Sequence, residues 1–230
     1  MKRIFTLARL IVLEALRTRF FAVIVILLAI GFGLATFVGQ IALIENIAYQ
    51  SSLLAAFLRL GAVYVMSLFV ITSMVHEFHN HAIYLWLSLP LQRSTYLIGK
   101  LSGFALLALI TALLFGLALS GYVPYQQAGL WTLSLLCELL IMIALSLLCV
   151  LTFHQIVQAF SVVLGFYILA RSITAIQLMA QGPLNNSQSW TDQIINLLIK
   201  ILVILLPNLD RFTQSEWLVY HTGNLSNLLE

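Results

Sequence analysis

This sequence has little charge. Charged residues make up 8% of its 230 positions, whereas hydrophobic residues make up 62%, and the mean hydropathy is +1.04. One core could not hide so much apolar surface at this length, so a water-soluble globular domain is excluded and the chain belongs in a bilayer. The formal net charge is +3, and the basic residues form no polybasic run, which excludes nucleic acid as a partner. There are two cysteines, Cys137 and Cys149, on one expected helix. Their spacing separates them by roughly 18 Å at about 1.5 Å per residue, so no intrachain disulfide joins them. No glycine-rich phosphate loop of the Walker type occurs, so ATP has to be bound and hydrolysed by another polypeptide, and this chain needs no cofactor of its own. No nucleophile–base–acid set is present either, and Glu138 is the one acid in the span interiors. Both absences argue against an enzyme.

What is there is a series of long apolar runs. In residues 1–19, Lys2, Thr6, Arg9 and Arg17 recur on one side of a helix while Ile4, Ile11, Val12, Ala15 and Leu16 fill the other. This predicts an amphipathic helix at a membrane surface. A cleaved signal peptide would need a shorter basic region and a shorter apolar run. Five spans follow, at 20–38, 53–75, 101–123, 130–153 and 156–179, each close to the ~20 residues that cross the hydrocarbon core. Residues 121–129 read as an uncharged turn, and His154–Gln155 as a tight one. The Gly-, Pro- and Asn-rich stretch 181–189 reads as a loop, and 190–206 as an outer re-entrant helix. The fold class is therefore an all-α integral membrane protein forming one transmembrane domain over 1–230, with an outer loop at 180–212.

Orientation follows the basic residues. Seven of the eleven (Lys2, Arg3, Arg9, Arg17, Arg19, Arg93 and Lys100) lie before the first span or in the 76–100 stretch, which places both regions in the cytoplasm. The chain is then a multi-pass protein of a bacterial inner membrane with its N-terminus inside.

The 76–100 stretch, HEFHNHAIYLWLSLPLQRSTYLIGK, carries the densest set of charged, histidine and aromatic residues. Tyr84, Leu85 and Trp86 offer anchoring area of the kind enriched at protein interfaces, Glu77 and Arg93 offer charges that set register, and Pro90 ends a short helix. The plainer reading makes Tyr84 and Trp86 headgroup-level aromatics. A rival reading is a metal site at His76, His79 and His81, since imidazole suits copper and zinc. The spacing His76-Glu77-Phe78-His79 is one residue short of the zinc-protease pattern, and on a helix His81 would point away from the other two.

Arg59, Glu138 and Arg171 interrupt three of the spans, about 10–14 Å from their outer ends at ~1.5 Å per residue. Ionisable groups at that depth face the bundle interior and find partners, so Glu138 is expected to pair with Arg59 or Arg171. Gly31 and Gly33 are expected to permit close helix approach.

The order Glu77, Leu85-Trp86-Leu87-Ser88-Leu89-Pro90, Arg93 and Gly99-Lys100-Leu101, with Leu13-Glu14-Ala15-Leu16-Arg17 before it and Leu206-Pro207-Asn208-Leu209-Asp210-Arg211-Phe212 after it, resembles the permease subunits of exporter-type ABC transporters. The branch is the one that includes the nitrous-oxide-reductase maturation permease. The resemblance implies that 76–100 is a coupling loop docking a separate ABC ATPase through Glu77, Tyr84, Leu85, Trp86, Pro90, Arg93 and Lys100. It also implies a second permease copy and export of a cargo that the residues leave open: a metal- or sulfur-containing species used in maturing an extracytoplasmic copper enzyme, or equally a lipid, a peptide or a drug. Two other classes stay open: a mechanotransmitter that pulls on an extracytoplasmic partner through 181–230, and an integral-membrane metal-binding protein. The chain departs from the family at Asn80-His81, where Gly-Thr is usual, and in the absence of a sixth span after Phe212. We expect the sequence to be a fragment short of that span, the alternative being a five-span variant.

Overall fold

The computed structural model describes residues 2–41, 46–79 and 93–180; the side chains of 2–7, 41, 46–49, 93–95 and 173–180 lie outside the description. The described residues are helical almost throughout and contain no strand. Among them six helices follow one another: α1 Lys2–Arg17, α2 Phe20–Ile41, α3 Asn46–His79, α4 Arg93–Leu119, α5 Tyr125–Phe153 and α6 Ile156–Ala180. Among the described residues four stretches are long and apolar enough to cross a membrane: Phe20–Gln40, Gln50–His79, Tyr96–Leu119 and Tyr125–Phe153. These four apolar helices fit a multi-pass membrane protein. Their outward side chains agree with that, since Leu117, Val25 and Leu148 are 71%, 62% and 62% exposed. In water such surfaces would aggregate, whereas lipid tails solvate them.

The described residues divide into two compact units between Val163 and Leu164, a boundary that falls within α6. In the first unit α3 is the central helix, with α2, α4 and α5 all packed on it. Leu54, Leu58, Met66, Val70 and Met74 are buried along α3. Because lipid tails are as apolar as leucine, burial from water does not hold such a bundle together; close packing and polar contacts between helices do.

α1 runs along α4, and Ile11 and Ala15 are buried. A Cβ on Gly103 of α4 would lie 2.5 Å from Ile11 Cδ1 and 3.1 Å from Ala8 Cα, so the absent side chain is what admits α1. The expected apolar face is only partly inward, because Leu16 is exposed along with Leu10 and Leu13. Thr18 and Arg19 make the elbow into α2, with Arg19 at φ 59°. Of the two glycines in the first span, Gly31 lies against Leu54, Phe57 and Leu58, while Gly33 has nothing near it. Close approach therefore involves Gly31 alone.

Helix ends differ from the sequence reading. α3 continues to His79, and α4 begins at Arg93, so the turns carrying His76, Glu77 and Lys100 are helical and not loop. The connection is 80–92. α4 ends at Leu119 and α5 begins at Tyr125, which shortens the expected 121–129 turn. Pro124, at φ −54° and ψ 142°, is the residue before α5; its fixed φ and missing N–H cost nothing there. The Gln126–Gln127 polarity that reads as loop is tolerated in a first turn. His154 closes α5 in the left-handed region at φ 54°, its N–H donating to Val150 O at 3.0 Å. α6 is helical over the expected fifth span, although the apolar stretch described there is the shorter Ile156–Ser172. The re-entrant segment 190–206 and the outer loop lie outside the described residues.

Candidate functional site

Two clusters of ionisable side chains are built into the first unit. One sits at the base of the 80–92 connection. Glu77 lies in the last turn of α3, and Tyr96 and Lys100, four residues apart, share one face of α4. Tyr96 Oη donates to Glu77 Oε2 at 2.7 Å, and Lys100 Nζ donates to Glu77 Oε1. Lys100 is buried and lies 5.8 Å from the centroid of the Phe104 ring, so its charge is met by a carboxylate on one side and an aromatic face on the other. One carboxylate thus closes a staple between α3 and α4 with both of its oxygens. Glu77 and Lys100, read from the sequence as separate docking charges, are partners of each other.

Arg93 opens α4. Tyr84, Leu85, Trp86, Pro90 and His81 lie outside the described residues. His76 and His79 are exposed in the last turn of α3, and His79 Nδ1 donates to Val75 O at 3.1 Å. Among the described residues no group of three or more His, Cys, Asp or Glu side chains converges as metal ligands. The His154 ring meets Phe78 edge-on at 5.3 Å, which puts the α5–α6 turn at the same end of the bundle as the staple.

The second cluster lies in the middle of the bundle. Arg59 Nη1 of α3 donates to Glu138 Oε2 of α5 at 3.0 Å, and Nη2 donates to Ser134 Oγ at 3.2 Å. The guanidinium carbon stands 5.4 Å from the centroid of the Trp131 ring. The side chains of Arg59 and Glu138 are 4% and 0% exposed. Trp131, Ser134 and Glu138 share one face of α5 at i, i+3 and i+7, so a single helix supplies an aromatic face, a hydroxyl and a carboxylate to one fork of donors. Of the two arginines expected to compete for Glu138, Arg59 holds it. Arg171, in the second unit, donates to Tyr167 Oη at 3.3 Å.

The pair is also deeper than the sequence places it. Glu138 lies about 20 Å from either end of α5 at ~1.5 Å per residue, because α5 starts earlier than the sequence predicts. Sequence reasoning missed three partners: Tyr96, Ser134 and Trp131. The signal was the i, i+4 spacing of Tyr96 with Lys100 and the helical spacing of Trp131 and Ser134 with Glu138.

No protein-family model matches this chain, and no curated protein matches it.

Proposed function

We propose that this chain is the membrane-spanning permease subunit of an exporter-type ABC transporter, working as a dimer or pseudo-dimer with two separate ATPase subunits in a bacterial inner membrane. The observation that carries this reading is the staple under the 80–92 connection. A coupling loop transmits force only if a push on it reaches the spans instead of being absorbed by slack chain. Here Glu77 ties the last turn of α3 to the second turn of α4, so displacement of the connection acts on both helices together. The motif order of the sequence supports the same reading.

In this account the N-terminus and the 76–100 region face the cytoplasm, α6 makes the fifth crossing, 190–206 is re-entrant from the outer face, and Tyr84, Leu85, Trp86 and Arg93 meet the ATPase. Closure of the ATPase pair would shift the bundle between two arrangements through contacts that differ between them. The cargo would be a metal- or sulfur-containing species for an extracytoplasmic copper enzyme or, equally, a lipid, a peptide or a drug.

Photocrosslinking tests the docking surface. A photoreactive amino acid in place of Trp86 is expected to capture a nucleotide-binding cassette protein in intact cells, with capture changing when ATP is depleted. Capture of no such protein from Trp86 or Leu85 would defeat the proposal.

A further inference from the structure

A groove of about 760 Å³ opens along α3 in the first unit, within the ~300–1,000 Å³ usual for small-molecule sites. Its wall on α3 runs from Tyr64 to His79, which is about 22 Å at ~1.5 Å per residue. One leaflet of hydrocarbon is about 15 Å thick, half of a ~30 Å core, so the groove spans one leaflet and its headgroup zone.

The lining is graded along that length. The deep end is apolar, formed by Val23, Tyr64, Val65, Leu68 and Phe69. The end near the α1–α2 elbow and the end of α3 carries Glu14, Thr18, His76 and His79. That polar end is rich in acceptors. Among the described residues no cation pairs with the Glu14 carboxylate. Because a carbonyl can only accept, His79 uses Nδ1 as the donor to Val75 O, and Nε2 is the ring nitrogen left to accept. Between the two ends sits Ser73, 4% exposed, whose Oγ has no hydrogen-bond partner among the described residues. A buried hydroxyl without a partner is costly, and this one lines the groove at an intermediate depth.

We propose that this groove binds one amine-bearing glycerophospholipid of the leaflet that α1 faces. An acyl chain would lie along Val65, Leu68 and Phe69, an ester carbonyl would accept from Ser73 Oγ, and the ammonium head would be held by Glu14 and His79 Nε2. The site stands whether or not the chain is a transporter subunit.

Native mass spectrometry of the full chain, released from nanodiscs containing equal phosphatidylethanolamine and phosphatidylglycerol, tests this. The expected result is one retained phosphatidylethanolamine per chain. Val65→Trp/Leu68→Trp fills the deep end and should abolish retention. Glu14→Gln leaves the apolar groove intact and should lower the preference for phosphatidylethanolamine roughly tenfold, the worth of one charge-assisted hydrogen bond. Helicity measured by circular dichroism shows whether each variant folds. If the tryptophan pair fails to fold, Glu14→Gln decides alone. No retained lipid, a retained phosphatidylglycerol, or an unchanged preference in folded Glu14→Gln would each overturn the proposal.

Discussion

Arg59 and Glu138 are the residues whose burial makes the strongest demands. Neither charge can be left alone at that depth, and each is there because the other is. Glu138→Ala should therefore destabilise the bundle by about 3–5 kcal/mol, the range for breaking a buried pair, since Arg59 loses its carboxylate. Arg59→Met/Glu138→Leu removes both charges at similar volume and should recover most of that loss. Reversible unfolding in mixed micelles with increasing denaturing detergent measures both. At the staple, the exchange of charges in Glu77→Lys/Lys100→Glu should restore part of what each single change costs, with a coupling of about 0.5–3 kcal/mol in the double-mutant cycle. Additive losses would mean that the two side chains lie near each other without interacting.

At the level of helices, α1 depends on one small residue of α4. Gly103→Leu places a branched side chain where Ile11 and Ala8 now lie and should cost about 1–3 kcal/mol by overpacking. Proteolysis near Arg17 in detergent should become faster in that variant, because α1 loses its seat while the four apolar helices remain. Much of this level is readable from sequence. The four long apolar helices, the turn at His154 and the pairing of Glu138 with an arginine follow from apolar length and from the cost of an isolated charge in lipid. Helix ends are less legible. Glu77 and Lys100 look like loop residues because they are polar, yet both continue their helices beyond the apolar run, and Pro124 marks the start of α5 when read as an N-terminal signal instead of a turn. The choice of Arg59 over Arg171 was not legible, since it depends on how α3 faces α5. The staple was hidden for the same reason: nineteen residues separate Glu77 from Tyr96.

For the whole molecule the first issue is sidedness. In the proposed topology Gln126 and His79 face opposite sides of the membrane. In a chain whose Cys137 and Cys149 are changed to Ser, Gln126→Cys should react with a membrane-impermeant maleimide on intact cells. His79→Cys should react only after the membrane is opened. Labelling of both from outside would invert or dismantle the arrangement.

The central claim is that an ATPase works on this bundle through the 76–100 region. The most direct measurement is purification of the tagged chain in mild detergent beside a Trp86→Ala/Arg93→Ala variant, which leaves the staple untouched. The account predicts that a nucleotide-binding cassette ATPase co-purifies with the parent and is lost from a variant of unchanged helicity and size. A parent that purifies with no ATPase, or an ATPase retained equally by the folded variant, would contradict it.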